Sequence, residues 1–291
     1  MSKWVWLNGQ LVEREKAAIS VFDHGILYGD GVFEGIRFYD RKVFKLDEHI
    51  NRLFNSAKII MLDIPYSKDE IKKAILLCCR ESGLSDGYIR PVVTRGAGAL
   101  GLAPWRCSNP SMFIIVDTLQ LYPKEFYDNG MPIVTVATRR NIPEALNPMI
   151  KSLNYLNNIM AKIEAKNAGA EEAIMLNNDG YVAECTGDNI FIIRNNFIYT
   201  PPVSAGSLPG ITMGAVVQLA ADMGVKTVEK LFTRAEMYIS DECFLTGTAA
   251  EVVPVIQIDG RVIGDGKPGV LTRKLVAAFH DYARMSGAPI E

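Results

Sequence analysis

The sequence has no apolar run of 18 or more residues and no charged-then-apolar signal at its N-terminus. It also has no excess of one charge: 31 basic and 33 acidic residues give a formal net charge of −2. Proteins that bind nucleic acid or an anionic membrane surface usually carry a basic patch. We therefore expect a protein that binds neither nucleic acid nor a membrane.

Cysteine and histidine are scarce and scattered. The five cysteines include no C-x-x-C pair, and the three histidines show no metal-ligand spacing. This pattern argues against a disulfide framework and a zinc site, and it favours a reducing compartment. With 48% hydrophobic and 22% charged residues, the composition is that of an ordinary globular protein. We predict a cytoplasmic enzyme that contains no metal ion.

Helix and strand signals alternate along the 291 residues, a length that allows two domains. Asn8-Gly9 predicts the turn of a β-hairpin, and Asp47 is the predicted cap of a helix opening at Leu46. The capping box Ser67–Glu70 predicts a second helix ending at Gly83. Further strands are predicted near 31–39, 42–46, 88–94, 111–118, 133–138, 172–176, 181–184, 190–194, 197–200, 228, 242–245 and 252–258, and further helices over 154–168, 212–223 and 270–285.

These elements predict an α+β fold in two parts. We expect a small α+β domain over residues 1–119, an interdomain linker over 120–131, and a larger β-rich domain over 132–291. Leu156, Ile159 and Ile163 have the spacing of one helix face and predict an amphipathic helix in the larger domain.

Lys151 lies between a loop rich in proline and asparagine and that helix. A lysine flanked by apolar residues at this place is well placed to be desolvated, which favours the neutral amine that forms Schiff bases. The alternative is an ordinary surface lysine whose stem lies along apolar groups.

Four further features suggest the remaining parts of one cofactor site. Glu184 ends a predicted strand, where a carboxylate could keep a pyridine nitrogen protonated or merely cap loop amides. Gly210–Thr212 opens a helix, Gly247–Ala250 is a run of small residues, and Arg52 carries a guanidinium; each suits an anion. An ordinary helix start, a tight turn and a solvated arginine are the alternatives. Together with Lys151 they make up an amine, a pyridine partner and three anion contacts.

The sequence resembles the class IV aminotransferases of the D-amino-acid and branched-chain type, which have fold type IV and use pyridoxal 5'-phosphate. The resemblance extends from the Asn8-Gly9 turn to the final helix. It is carried by the segments 28–37 (YGDGVFEGIR), 49–53 (HINRL), 151–155 (KSLNY), 184–191 (ECTGDNIF), 208–212 (LPGIT) and 247–251 (GTAAE).

The resemblance implies a role for each matching residue. Lys151 would be the Schiff-base lysine and proton shuttle, Glu184 the partner of the pyridine nitrogen, and Tyr155 a donor to the phenolic oxygen of the cofactor. The residues implied to hold the phosphate are Arg52, Ile211, Thr212 and Thr248.

Tyr88-Ile89-Arg90 resembles the Tyr-x-Arg motif of branched-chain aminotransferases, and strand alternation places Tyr88 and Arg90 on one face. The implied reaction is transamination of L-leucine, L-isoleucine and L-valine with 2-oxoglutarate. The Thr248 and Ala249 amides would take the α-carboxylate of the substrate. The implied substrate-binding residues are Tyr28, Phe33, Gly35, Arg37, Tyr88, Arg90, Thr248 and Ala249.

Two segments depart from the branched-chain pattern. Gly29-Asp30-Gly31 and Arg95-Gly96 are closer to D-amino-acid transaminases. D-amino-acid transamination is therefore one alternative, and an aminodeoxychorismate-lyase-type reaction, which shares the fold and the lysine, is the other. The partners implied are small amino acids and 2-oxo acids, together with further copies of the chain in a homodimer or a larger assembly such as a hexamer.

Overall fold

The computed structural model describes residues 2–291, and the chain forms two compact units. The first unit contains the residues up to Leu119 together with Ile150–Asn154 and Ala283–Glu291, and the remainder forms the second unit. This division differs from the predicted domains, because those two short segments group with the first unit. The predicted linker, 120–131, lies inside the second unit and contains a helix, Lys124–Asn129. None of the helices described is both long and apolar enough to span a membrane.

The elements follow in chain order. The helices are α1 (His24–Tyr28), α2 (Leu46–Ile59), α3 (Lys68–Ser82), α4 (Lys124–Asn129), α5 (Pro143–Leu146), α6 (Leu156–Asn167), α7 (Ile211–Asp222), α8 (Arg234–Tyr238) and α9 (Val270–Met285). The strands are β1 (Trp4–Leu7), β2 (Gln10–Glu13), β3 (Gly31–Phe33), β4 (Ile36–Tyr39), β5 (Lys42–Val43), β6 (Gly87–Thr94), β7 (Ser111–Asp117), β8 (Met131–Thr135), β9 (Ala173–Leu176), β10 (Val182–Cys185), β11 (Asn189–Arg194), β12 (Phe197–Thr200), β13 (Thr227–Glu229), β14 (Glu242–Gly247), β15 (Glu251–Ile258), β16 (Arg261–Val262) and β17 (Ala288–Pro289).

The first unit is built on a sheet with the order β17-β5-β4-β6-β7-β1-β2, in which β3 also pairs with β6. Asn8 and Gly9 have φ values of 46° and 96°, the left-handed backbone that a tight β1–β2 hairpin needs, so the predicted turn is confirmed. The apolar faces of α2 and α3 pack into one core with the sheet residues, including Ile50, Ile75 and Ile89.

The ends of the two long helices of the first unit test the predicted caps. Ser67 Oγ accepts the Glu70 amide and the Glu70 carboxylate accepts the Ser67 amide, so the capping box of α3 is confirmed. The predicted cap Asp47 is wrong. Lys45 occupies the N-cap position of α2 with a φ of 53° and makes no side-chain cap bond. Asp47 lies in the first turn, where its charge favours the helix through the dipole.

The second unit is built on a sheet with the order β10-β9-β8-β15-β14-β11-β12-β13, with β16 paired to β15. Its central strands are buried along their length and supply most of the core, which includes Ile190, Leu245 and Val253. The hairpin of β11 and β12 turns at Asn195 and Asn196, both with positive φ, between the strands predicted over 190–194 and 197–200.

Helix α6 is amphipathic as predicted, but its large apolar side chains face outward. Leu156, Ile159 and Ile163 are between 48% and 68% exposed, whereas Ala161 and Ala165 are fully buried. Small residues let α6 pack closely against the sheet of its own unit. Its apolar stripe, which also contains Met160, is left at the surface.

Candidate active site

Lys151 lies on an extended segment of the first unit, five residues before α6 begins. Its carbonyl accepts the Phe33 amide at 3.0 Å, its amide donates to Ser56 Oγ at 3.1 Å, and the next residue, Ser152, bridges to Val32. These bonds fix the backbone of the lysine against β3 and α2. Its Nζ atom lies 4.7 Å from the centre of the Phe33 ring, so the amine sits beside an apolar aromatic wall.

Arg52 forms a charged network with two residues that the sequence reasoning did not single out. The Nε and Nη2 atoms of Arg52 donate to the two carboxylate oxygens of Glu34 at 2.6 and 2.8 Å, and His49 Nδ1 contacts Glu34 at 2.8 Å. Burial would raise the pKa of Glu34, but Arg52 and His49 hold it at about 2. Burial lowers the pKa of His49, and the charges of Arg52 and Lys151 add to that effect. The buried carboxylate therefore orients the guanidinium that the sequence predicts as a phosphate ligand.

The predicted substrate residues of β3, β4 and β6 are brought together. The Arg90 guanidinium donates to the Tyr88 hydroxyl at 2.8 Å and lies 4.5 Å from the centre of the Phe33 ring. The prediction that Tyr88 and Arg90 share a strand face is confirmed. An ideal Cβ on Gly35 would lie only 1.9 Å from the Tyr88 hydroxyl, so a glycine is needed there. The amine of Lys151 and the guanidinium of Arg90 thus both lie against the Phe33 ring.

Two other predicted substrate residues, Arg37 and Tyr28, make hydrogen bonds to backbone groups of nearby loops. Arg37 pairs in register with Tyr88 and donates to the Leu119 carbonyl at 3.3 Å. The Tyr28 hydroxyl accepts the Gly101 amide at 2.9 Å and the side chain is 37% exposed. The glycine-rich loop 95–101 is thus hydrogen-bonded to α1.

The two segments that depart from the branched-chain pattern contact each other. Arg95 forms a bidentate ion pair with Asp30, with distances of 2.9 and 3.0 Å, and also donates to the carbonyls of Ile60 and Met61. Arg95 is buried. Both residues are therefore used in fixing the start of the glycine-rich loop to the end of α2.

Glu184 is buried in the second unit and is held by donors on two sides. Arg140 donates to Oε1 at 2.8 Å, and the Leu208 amide donates to Oε2 at 3.0 Å. Arg140 is itself fixed by the side-chain oxygens of Asn157 and Asn158 at 3.2 and 3.1 Å. The sequence reasoning missed Arg140, because nothing local marks a loop arginine as the partner of a carboxylate 44 residues away.

The start of α7 has the features of a phosphate site. Its N-cap residue, Gly210, gives the first turn no side-chain cap within the described part of the chain. An ideal Cβ on Gly210 would lie 2.0 Å from Asn189 Oδ1, and the Asn189 amide group donates to the Leu208 carbonyl. Thr212 is buried at this end of the helix, and Ile211 is the first residue of α7. Free helix amides and a buried hydroxyl fit a phosphate group.

The small-residue segment Gly247–Ala250 is a second place that suits an anion. Thr248 and Ala249 lie in the turn that joins β14 to β15. The hydroxyls of Thr246 and Ser207, one at the start of each anion segment, are buried and have no hydrogen-bond partner among residues 2–291. Buried donors without partners are costly, so these hydroxyls favour a polar ligand here. The residues of the second unit therefore fit a phosphorylated pyridine cofactor.

The remaining predicted cofactor residue, Tyr155, occupies the N-cap position of α6 and is half-buried. The structure thus collects the predicted residues into two groups. The first unit contains Lys151, Arg52 and the substrate residues of β3, β4 and β6, and the second contains Tyr155, Glu184, Ile211, Thr212, Thr248 and Ala249. Within 2–291, no cluster of His, Cys, Asp and Glu has the arrangement of a metal site.

The chain belongs to the family of amino-transferases of class IV, whose family profile matches residues 31–258. The predicted family and the predicted α+β fold are both confirmed.

Within that family the chain is similar to branched-chain aminotransferases. The branched-chain-amino-acid aminotransferase of Pseudomonas aeruginosa is 42% identical over 285 residues, covering 95% of this chain and 92% of the relative. The crystal structure of the Escherichia coli branched-chain aminotransferase superposes with a TM-score of 0.97 at 32% identity and covers all of both chains. The Thermobaculum terrenum enzyme, solved in its PLP-form, has a TM-score of 0.86 at 30% identity over 98% of this chain and 94% of that one.

Proposed function

We propose that this protein is a pyridoxal 5'-phosphate-dependent branched-chain aminotransferase. It transfers the amine of L-leucine, L-isoleucine or L-valine to 2-oxoglutarate and so produces branched 2-oxo acids and glutamate. The observation that carries the proposal is the arrangement around Lys151, whose amine lies 4.7 Å from the Phe33 ring while the Arg90 guanidinium lies 4.5 Å from the same ring. Similarity to branched-chain enzymes over nearly the full length supports the substrate class.

The residues proposed to hold the cofactor are chemically matched to its parts. Bound pyridoxal phosphate supplies an aldehyde that takes up the substrate amine and a ring that stores the electrons of the broken bond. Glu184 would accept a hydrogen bond from the protonated pyridine nitrogen, and Tyr155 would donate one to the phenolic oxygen. The residues that bind the phosphate are Arg52, Ile211, Thr212 and Thr248.

Lys151 carries out the proton transfers. Its amine would remove the proton from the α-carbon of the amino acid and would return a proton to the bound cofactor. The fixed backbone of Lys151, bonded to Phe33 and Ser56, keeps the amine in one place through both transfers. Arg140 keeps the Glu184 carboxylate fixed and charged, which favours protonation of its pyridine partner.

The substrate pocket has to accept an apolar side chain and then the distal carboxylate of 2-oxoglutarate. Phe33 provides an apolar surface for the first, and Gly35 leaves room beside Tyr88. Arg90, Arg37 and the tyrosine hydroxyls of Tyr28 and Tyr88 provide charge-assisted and polar hydrogen bonds for the second. The Thr248 and Ala249 amides bind the α-carboxylate that both substrates share.

The L-selective reaction is favoured over the D-selective alternative by the contacts of the two departing segments. Asp30 and Arg95 bind each other, and Arg95 also donates to the carbonyls that follow α2, so the pair serves the loop structure. We also propose that the protein works in the cytoplasm as a homodimer or larger homo-oligomer. The five cysteines are free thiols, which fits a reducing compartment, and exposed apolar side chains on α6 fit contact between copies.

The test is a half-reaction with the cofactor-loaded protein and no oxo acid. L-leucine should convert the bound pyridoxal phosphate to pyridoxamine phosphate, seen in the visible spectrum, and release an equal amount of the branched 2-oxo acid. D-alanine should give no conversion. Conversion by D-alanine alone would replace the proposal with D-amino-acid transamination, and release of pyruvate from aminodeoxychorismate would replace it with the lyase reaction.

A variant tests the assigned lysine. Lys151→Ala should abolish turnover and the visible absorbance of the bound cofactor while leaving the thermal unfolding midpoint within a few degrees of wild type. Lys166→Ala, which removes an exposed lysine of the second unit, is the control and should keep both signals. Transamination by Lys151→Ala at the native rate would refute the assignment.

A further inference from the structure

A buried pair of carboxylates, Asp188 in the turn between β10 and β11 and Glu172 just before β9, has no part in the proposed mechanism. The Tyr122 hydroxyl lies 2.8 Å from Glu172 Oε2 and 2.9 Å from Asp188 Oδ2. All three side chains are buried in the second unit. A tyrosine hydroxyl has one hydrogen and so can donate to only one of two carboxylates. The second short contact requires a proton on one of the acids.

The hydrogen bonds made by Glu172 and Asp188 indicate which of the two acids is ionised. Glu172 Oε1 accepts the Thr186 amide at 2.8 Å, the Thr186 hydroxyl at 2.5 Å and the Ala173 amide at 2.7 Å, and Oε2 faces the Lys162 ammonium at 3.2 Å. A carboxylate with this many donors is stable as an anion.

Asp188 has the opposite surroundings. Its Oδ2 atom contacts only the Tyr122 hydroxyl, and its Oδ1 atom is buried without a hydrogen-bond partner anywhere in 2–291. An ionised carboxylate left this poorly solvated is costly. The proton therefore lies on Asp188 Oδ2, which donates to Tyr122, and Tyr122 donates in turn to the Glu172 anion. Burial and the charge of Glu172 raise the pKa of Asp188 to about 7, in agreement with this order.

The unpartnered oxygen of Asp188 points toward a proposed ligand-binding segment. An ideal Cβ on Gly247 would lie 2.1 Å from Asp188 Oδ1, so the carboxyl group packs directly on the backbone before Thr248. The Asp188 carbonyl also accepts the Cys185 amide at 2.8 Å and closes the turn. The next residue, Asn189, contacts the backbone at Leu208 and Gly210. One turn thus supports both proposed anion segments.

We propose that Asp188 is a positioning residue that works as a neutral carboxylic acid and that its ionisation weakens anion binding by the Gly247–Ala249 turn. The charged groups that face Asp188 are Glu172, Glu184 and Lys162, with Tyr122 between the acids. When Asp188 loses its proton, the hydrogen bond to Tyr122 is lost and a negative charge appears beside the segment that takes the substrate carboxylate. The assignment of that segment rests on the proposed function, whereas the location of the proton does not.

The proton is tested first in the apo-protein, without any enzymatic assay. A folded-state pKa near 7, above the ordinary value for Asp, means that the folded protein keeps a proton that the unfolded chain releases. The stability that Asp188 contributes should therefore fall as the pH rises from about 4 to about 7 and then level off, and it is measured as the difference between the wild-type and Asp188→Asn profiles. Asp188→Asn should lack this fall, because its amide mimics the neutral acid. Asp179→Asn, on an exposed turn of the same unit, is the matched control and should follow wild type.

Infrared spectroscopy gives a second readout on the unmodified chain. Carbon-13 labelling of aspartate should reveal a protonated carboxyl band in the wild type at pH 6 that disappears above pH 8. The band should be missing from Asp188→Asn, and Tyr122→Phe should shift it because the hydrogen bond is lost. Absence of such a band at pH 6, or identical stability profiles for wild type and Asp188→Asn, would overturn the proposal.

The positioning role is then tested in the loaded enzyme. At pH 6, Asp188→Asn should keep kcat/KM within about threefold of wild type, whereas Asp188→Ala should lose about tenfold or more because the turn shifts. Above pH 8, the KM of wild type for 2-oxoglutarate should rise while that of Asp188→Asn rises less. Equal loss in the Asn and Ala variants at pH 6 would refute the role of the neutral form. Inactivity of wild type with every substrate, beside a confirmed proton on Asp188, would refute only the proposed function.

Discussion

At the scale of single residues, three ion pairs with at least one buried partner hold side chains or loops around the proposed site. Glu34 orients Arg52, Arg140 holds Glu184, and Asp30 binds Arg95. A buried ion pair contributes little net stability, but removing one partner leaves an uncompensated charge. These positions should therefore be sensitive to substitutions that keep shape and change charge.

Glu34→Gln, which keeps the shape of the side chain and removes its charge, tests this sensitivity in the network around Arg52. The pKa of Glu34 falls from an ordinary 4.5 to about 2, so its contribution is present above pH 4.5 and is lost as the pH falls toward 2. This shift corresponds to about 3 kcal/mol of unfolding free energy at neutral pH. Urea unfolding should show a loss of that order in Glu34→Gln at pH 7 and a flatter acid limb below pH 4.5.

The matched control for Glu34 is Glu81→Gln. Glu81 pairs with Arg80 at 3.1 Å at the surface, and such pairs contribute about 0–1 kcal/mol. If both variants lose the same small amount of stability, the network of Glu34 with Arg52 and His49 does not contribute the expected unfolding free energy.

At the scale of elements, most boundaries follow from local chemistry. The capping box of α3, the Asn8-Gly9 hairpin and the Asn195-Asn196 turn lie where the sequence predicts them, since each depends on bonds or dihedrals within a few residues. The cap of α2 was predicted wrongly at Asp47. Lys45 takes that position in a left-handed conformation, which is stabilised by the surrounding fold rather than by its own propensity.

Ser67→Ala measures how much the N-cap hydrogen bond of α3 contributes to the stability of the protein. The Ser67 hydroxyl accepts the Glu70 amide at 3.3 Å, and loss of an N-cap typically costs about 1 kcal/mol. Urea unfolding should show that loss with no change in kcat/KM. Ser85→Ala, an exposed serine after α3, is the control and should change stability by less than about 0.5 kcal/mol. Equal effects of the two changes would contradict the role given to the capping box.

At the scale of the whole molecule, the exposed apolar stripe of α6 predicts assembly. Leu156, Ile159, Met160 and Ile163 are each at least 48% exposed, and a contiguous patch of this kind marks an interface. Light scattering should give wild type the mass of a dimer or a multiple of it. The double variant Ile159→Asp and Ile163→Asp should form a smaller assembly with unchanged helical content. Val262→Asp, a separate exposed apolar residue on β16, should leave the mass unchanged.

A monomeric wild type would contradict the proposed oligomer, and an unchanged mass of the double variant would exclude α6 from the interface. Neither outcome would bear on the chemistry assigned to Lys151, which is tested by the half-reaction.

The sequence by itself determined the features that depend on neighbours in the chain. The α+β class, the capping box of α3, the hairpins and the family motifs around Lys151 and Glu184 belong to this group, and the family and the fold are confirmed. The assigned roles of the site residues stay predictions, which the Lys151→Ala variant begins to test.

Only the tertiary structure decided which distant charges meet. The pairs Glu184 with Arg140, Asp30 with Arg95, and Asp188 with Tyr122 join residues 44, 65 and 66 positions apart. Local propensity contains no information about such contacts, because they form when packing brings two strands or loops together and removes water from both groups. The outward face of α6 has the same origin: the sequence defines an apolar stripe, but only packing decides which side of the helix is buried.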